Sequence, residues 1–203
     1  FLAAGLLGCS SLPTAQPADH VDITWMSITN LHLDFGSARV VADGYITRLP
    51  EELFFGGGGG LAQTRRSARP DEAAVREVFE AIGGRRAVDL LITGHSHFDH
   101  SFDTPVWARL SGAPIVGSTT TCLQARAARI PARRCRAVFG GERIALGDGV
   151  AMHVVRWNHS GDPAKNPEQH DPHELAAVPV PDAQGGLRAG VAEDFPNGGG
   201  NRA

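Results

Sequence analysis

Hydrophobic positions open the chain in a β-type pattern. Val21–Ile28 (VDITWMSI) and Leu31–Phe35 are rich in β-branched and aromatic residues. Phe35-Gly36-Ser37 makes a turn, and Arg39–Ala42 resumes an apolar strand toward Asp43-Gly44. The period then changes. Val75, Val78, Phe79 and Ile82 fall at helical spacing, Asp71 and Glu72 occupy the first turn, and Gly83 ends the run, so a helix is predicted over Pro70–Ile82. Leu90, Leu91 and Ile92 read as a short buried strand that stops at Thr93-Gly94. Thr104-Pro105 caps and starts a helix that Gly112 closes, Pro114–Gly117 is a short strand, and Thr119–Ile130 is a helix that Pro131 ends. Arg136–Phe139, Arg143–Leu146 and Val150–Trp157, with glycine-rich turns between them, predict a β-meander of three strands. Strands alternating with helices place the chain in the α/β class, with one folded domain over residues 21–162.

Three stretches depart from this pattern. Residues 1–20 open with an apolar run, FLAAGLLG, far too short to span a bilayer but like the end of a secretory signal segment. Leu6-Leu7-Gly8-Cys9 resembles a bacterial lipobox, which implies lipidation at Cys9; the polar SSLPTAQPAD that follows would be a tether. On this reading the protein is exported to the bacterial cell envelope, periplasm or outer membrane, and held at the membrane through Cys9. A buried N-terminal helical turn is the alternative. Leu49–Arg69 contains Gly56–Gly60, five consecutive glycines flanked by Phe54-Phe55 and Arg65-Arg66. Such a run cannot pack a core and lacks the Gly-Lys context of a phosphate loop; it is either a flap beside an active site or a plain insertion. Residues 163–203, rich in proline, glycine and acidic residues, read as a long loop or the start of an insertion, with His170 and His173 as a solvated pair.

Charge narrows the function only slightly. With 19 basic and 22 acidic residues and a net charge of −3, no basic tract points to nucleic acid. Cys122 and Cys135 can pair in an oxidising compartment; two buried free thiols are the alternative.

The chemistry is concentrated in LLITGHSHFDHSFD. His95, His97, Asp99 and His100 follow the buried strand, where a loop at the C-terminal edge of a sheet commonly carries a site. In extended backbone alternate side chains point the same way, so His95 and His97 can reach one metal ion together and Asp99 can serve the same cavity. His100 would then project elsewhere and suit a second ion. Imidazole suits zinc, and a carboxylate offsets its charge.

This H-x-H-x-D-H arrangement resembles the signature of the metallo-β-lactamase-fold hydrolases. The resemblance implies an αββα sandwich and usually two zinc ions, sometimes another divalent metal. It implies that His159, in Asn158-His159-Ser160-Gly161 after the last strand, is the third ligand of the first site, although the glycine spacing departs from the family pattern; a plain loop histidine is the alternative. Asp43, at the end of an early strand, becomes a candidate to orient a metal-bound histidine, against its reading as a simple turn former. The implied activity is hydrolysis of an ester, lactone, amide or phosphodiester bond in a small-molecule or lipid substrate, by a zinc-activated hydroxide that Asp99 orients. The competing expectation is a non-catalytic, metal-stabilised binding protein of the cell envelope. The family pattern also calls for further strands, a bridging aspartate and a final histidine, so a fragment holding about the first half of the fold is expected.

Overall fold

A computed structural model describes residues 20–49, 67–147, 149–157 and 174–188. Cys9, Gly56–Gly60, His159, His170 and His173 lie outside the described residues.

β1 (Asp22–Trp25), β2 (Leu31–Asp34) and β3 (Arg39–Ala42) form an antiparallel run. The short β4 (Ser67–Ala68) leaves this sheet, and β5 (Leu90–Ile92), β6 (Ile115–Gly117) and β7 (Cys135–Ala137) extend it in parallel. The result is a six-stranded mixed sheet in the order β1-β2-β3-β5-β6-β7. Each parallel step is made through helix, as parallel pairing requires. α1 (Glu72–Ala81) precedes β5, α2 (Phe98–Ser101) and α3 (Thr104–Ser111) lie between β5 and β6, and α4 (Thr119–Ala127) leads to β7. The chain is thus mixed α/β, in the class expected.

Period-two alternation explains why the centre of the sheet, at β3, β5 and β6, is buried on both faces. Val41, Leu91 and Ile115 turn toward the helices and pack with Val75, Phe79 and Trp107. Their neighbours Val40, Leu90 and Val116 face the other way, toward Val138 and Val154. A strand covered on both sides reads as an unbroken apolar run, which is why LLI carries no alternation of polarity.

The three-stranded meander does not form. β7 joins the main sheet beside β6, and only β8 (Arg143–Gly147) and β9 (Val150–His153) pair as an antiparallel hairpin. The break falls at Gly140 and Gly141, whose φ angles of 103° and 93° are open to glycine and strained for other residues. A Cβ at Gly140 would lie 2.8 Å from that of Arg156, so the chain can turn there only without a side chain. The turn carries the hairpin onto the opposite face of the sheet, where Ile144, Leu146 and Met152 pack.

Helix ends follow local chemistry. The Asp71 carboxylate accepts the Ala74 amide at 3.0 Å and caps α1, and the Ser118 hydroxyl accepts the Thr121 amide at 3.1 Å at the start of α4. Cys122 on α4 and Cys135 at the start of β7 are disulfide-bonded, with their Cα atoms 5.4 Å apart. β10 (Leu187–Arg188) pairs with β4 in a separate two-stranded ribbon. At the far edge of the main sheet, β1 pairs only with β2 among the described residues and leaves Val21, Ile23 and Trp25 exposed.

Trp107 is fully buried at the centre of the helical layer and meets Phe79 edge to face. Replacing it with alanine is expected to cost about 3–5 kcal/mol, as for other aromatic-to-alanine changes in a core. Urea denaturation of the metal-free chain measures this; a loss under 1 kcal/mol would show that Trp107 is not the centre of the core.

Candidate metal centre

β5 delivers the chain to Thr93 and Gly94, and the next residues turn instead of continuing as a strand. His97 keeps an extended backbone, φ −61° and ψ 153°, and stands at the N-cap of α2. His95 and His97 converge: His95 Nε2 lies 2.9 Å from His97 Nδ1, with ring centroids 4.5 Å apart. One of these nitrogens must carry the proton and the other accept it.

His100 is where the structure departs from the extended-loop expectation. Phe98–Ser101 is a helical turn, which brings the residue three past His97 back over the loop. The His100 ring therefore sits 4.0 Å from that of His95. Asp99, on the same turn, is more exposed and has Oδ2 3.5 Å from His100 Nε2. The His95 ring thus meets His97 edge to face and His100 at a tilt, so the three imidazoles are close neighbours. Among the described residues no three His, Cys, Asp or Glu side chains have their donor atoms disposed around one common point. The donor set still fits a divalent ion, since clustered imidazoles with adjoining carboxylates are ligands that zinc accepts.

Asp43 joins both ends of this segment. Its Oδ1 accepts the Gly94 amide at 2.8 Å, and its Oδ2 lies 2.9 Å from His100 Nδ1. Asp43 adopts the left-handed conformation, φ 62°, which aspartate tolerates better than most residues. Gly44 follows at φ 72°, with its carbonyl accepting the Trp107 indole N–H at 2.7 Å. A Cβ at Gly44 would lie 2.8 Å from that indole nitrogen, so glycine is required for this close approach. Beyond Gly44, Asn30 is fully buried and clasps Tyr45, donating to its carbonyl at 2.6 Å and accepting its amide at 2.9 Å. Buried Asp103 accepts the Ile46 and Thr47 amides at 2.7 and 2.6 Å and the Thr47 hydroxyl at 2.7 Å. Burial raises the Asp103 pKa, and the Thr47 and Ile46 donors pull against it without cancelling it.

No family model matches the chain. The chain is similar to proteins named metal-dependent hydrolases. One, a "UPF0173 metal-dependent hydrolase" of Pyrobaculum arsenaticum, is 34% identical over 90 residues, 44% of this chain and 38% of that protein. A second so named, from Pyrobaculum neutrophilum, is 32% identical over 83 residues, 41% of this chain and 36% of that protein. The chain spans little more than a third of the length of these curated relatives.

Contacts that three residues make with the histidine segment went unread in the sequence. The Thr29 hydroxyl lies 3.4 Å from His100 Nδ1. The single Ser101 O–H is shared between the carbonyls of Ser96 and His97, each 3.0 Å from Oγ, and Gln124 Nε2 reaches the Ser96 carbonyl at 3.3 Å. The Ser101 contact follows from its place four residues after His97. Thr29 and Gln124 arrive from distant parts of the chain and carry no local signal. A cavity of about 1180 Å³ lies beside α2, lined by Phe98, Phe102, Val106, Gln124, Leu175 and Val180 among others; the histidines do not line it.

Burial by itself would lower the His100 pKa, but the Asp43 hydrogen bond and charge, with Asp99 behind them, raise it above 6.5. The folded metal-free chain therefore holds the His100 proton more tightly than the unfolded chain does. The resulting stability is fully present below pH 6.5 and is lost as pH rises through the folded value. Asp43→Asn keeps an acceptor for Gly94 and removes the charge. It is expected to lower the His100 pKa and flatten this pH dependence, as read by imidazole NMR and denaturation of the metal-free chain. An unchanged His100 titration would rule out the Asp43 contact as its cause.

Proposed function

We propose that this chain carries the metal-binding part of a hydrolase active site, of the metallo-β-lactamase type that its histidine motif resembles. The observation that supports the reading best is the packing of His95, His97 and His100 ring against ring at the C-terminal end of β5, with Asp43 on the Nδ1 side of His100. In this proposal His95 and His97 hold a divalent ion, zinc being the metal their chemistry suits, with His159 as a third ligand. His100 and Asp99 contribute to a neighbouring ion. When bound, such an ion supplies Lewis acidity for hydrolysis.

The chain's own residues do the remaining work. Asp43 keeps the His100 proton on Nδ1, which leaves Nε2, on the Asp99 side of the ring, as the nitrogen with the lone pair a ligand needs. Gly94 N–H, bonded to the same carboxylate, fixes where the loop leaves the sheet. Asp99 is exposed enough to reach an incoming nucleophile and accept its proton. The relatives' shared name supports hydrolysis as the reaction class; we infer a small-molecule or lipid substrate from the resemblance of the histidine motif to the metallo-β-lactamase-fold hydrolases. The Cys122–Cys135 disulfide favours an oxidising compartment, in keeping with export to the cell envelope and anchoring through Cys9. No helix among the described residues is long and apolar enough to cross a membrane.

His95→Ala and His97→Ala are each expected to remove stoichiometric zinc from the purified protein and, with it, turnover of a generic ester or phosphodiester. Elemental analysis beside circular dichroism separates metal loss from unfolding. Zinc retained in either variant would sink the ligand assignment; zinc lost from both, with no turnover in the parent, would favour a metal-stabilised binding protein.

A further inference from the structure

The peptide between His95 and His97 is held by side chains from two different helices. Ser96 is fully buried, and its carbonyl accepts from Ser101 Oγ on α2 at 3.0 Å and from Gln124 Nε2 on α4 at 3.3 Å. Ser101 belongs to the same local turn and moves with it. Gln124 does not. It reaches across from a helix fixed at its start by the Ser118 cap and tied to β7 through Cys122, two residues before Gln124. It is thus a point outside the turn against which the histidine loop is referenced.

The amide's other end makes the case. Gln124 Oε1 is buried and has no hydrogen-bond partner among the described residues. Flipping the amide gives no relief, because Oε1 would then face the Ser96 carbonyl and two acceptors would meet. A buried acceptor left unsatisfied costs more than one long hydrogen bond returns, so an apolar side chain of the same length would serve the fold at least as well. What glutamine supplies and such a side chain cannot is a donor onto the carbonyl between the two histidines.

We propose that Gln124 is a positioning residue for metal binding, holding the His95–His97 backbone through the Ser96 carbonyl. This rests on the reading of His95 and His97 as metal ligands. Its effect is on the geometry of both imidazoles together, because the Ser96 peptide is the only covalent link between them, and it need not touch metal or substrate.

The test is Gln124→Met, which keeps length and shape and removes the donor. The full chain and its variants are titrated with zinc ion against a chromophoric chelator, and their metal-free forms are unfolded in urea. Gln124→Met is expected to weaken zinc binding about tenfold, in the range for loss of groups that orient metal ligands, while the metal-free unfolding midpoint stays the same or rises. Ser101→Ala, removing the other donor on that carbonyl, is expected to weaken zinc in the same direction. Zinc held by Gln124→Met as tightly as by the parent overturns the proposal, and so does a lowered metal-free midpoint that accounts for the lost affinity. A parent chain that takes up no zinc overturns the ligand reading and this proposal together, and is distinguishable because the parent itself fails.

Discussion

The Asp43 carboxylate bonds a backbone amide with one oxygen and an imidazole with the other, and the histidine segment is spanned between those two points. Gly94 is where the chain leaves the sheet, and His100 is where the following helical turn comes back. Asp43 can face both only because the end of β3 lies beside the end of β5, with Asp43 N–H donating to the Ile92 carbonyl at 2.8 Å. Its left-handed backbone is held in turn by Gly44 under the Trp107 indole. A core residue of the helical layer thus bears on the orientation of a site side chain through one glycine carbonyl. Strain of this kind persists where the surroundings over-determine it, and here three contacts do so.

The sequence showed the parts of this arrangement that depend on local periodicity. α1 was legible because Val75 and Phe79 repeat at helical spacing behind acidic Asp71 and Glu72, and β5 because three apolar residues run into Thr93-Gly94. The closeness of His95 and His97 was legible from their separation by one residue. His100 was not, because the reading carried strand periodicity past the point where Phe98 begins a helical turn. The meander failed for a related reason: β7 and β8 both look like strands, and strand patterning does not say which sheet a strand joins. Only the paired glycines at 140 and 141 marked the change, and they were read as an ordinary turn.

Long-range contacts were the least legible. Asp43 was recognised as a candidate from family resemblance, while its double contact with Gly94 and His100 depends on β3 and β5 being adjacent and parallel. Thr29 and Gln124 come from the β1–β2 connection and from α4, each with a side chain that would be unremarked in a surface loop or helix. A single hydroxyl or amide has no periodicity to betray it. The similarity to named relatives covers less than half of this chain, so it adds a reaction class to the reading and leaves these residues to geometry.

The edge strand β1, paired with β2 alone among the described residues, has a different kind of consequence. Val21, Ile23 and Trp25 are 42%, 64% and 69% exposed along one face of an edge strand. Such an edge offers a row of hydrogen-bonding groups with an apolar flank, the combination that templates strand addition by another chain. Among the described residues this edge is where strand addition by a second chain would begin, and a net charge of −3 offers it little opposition.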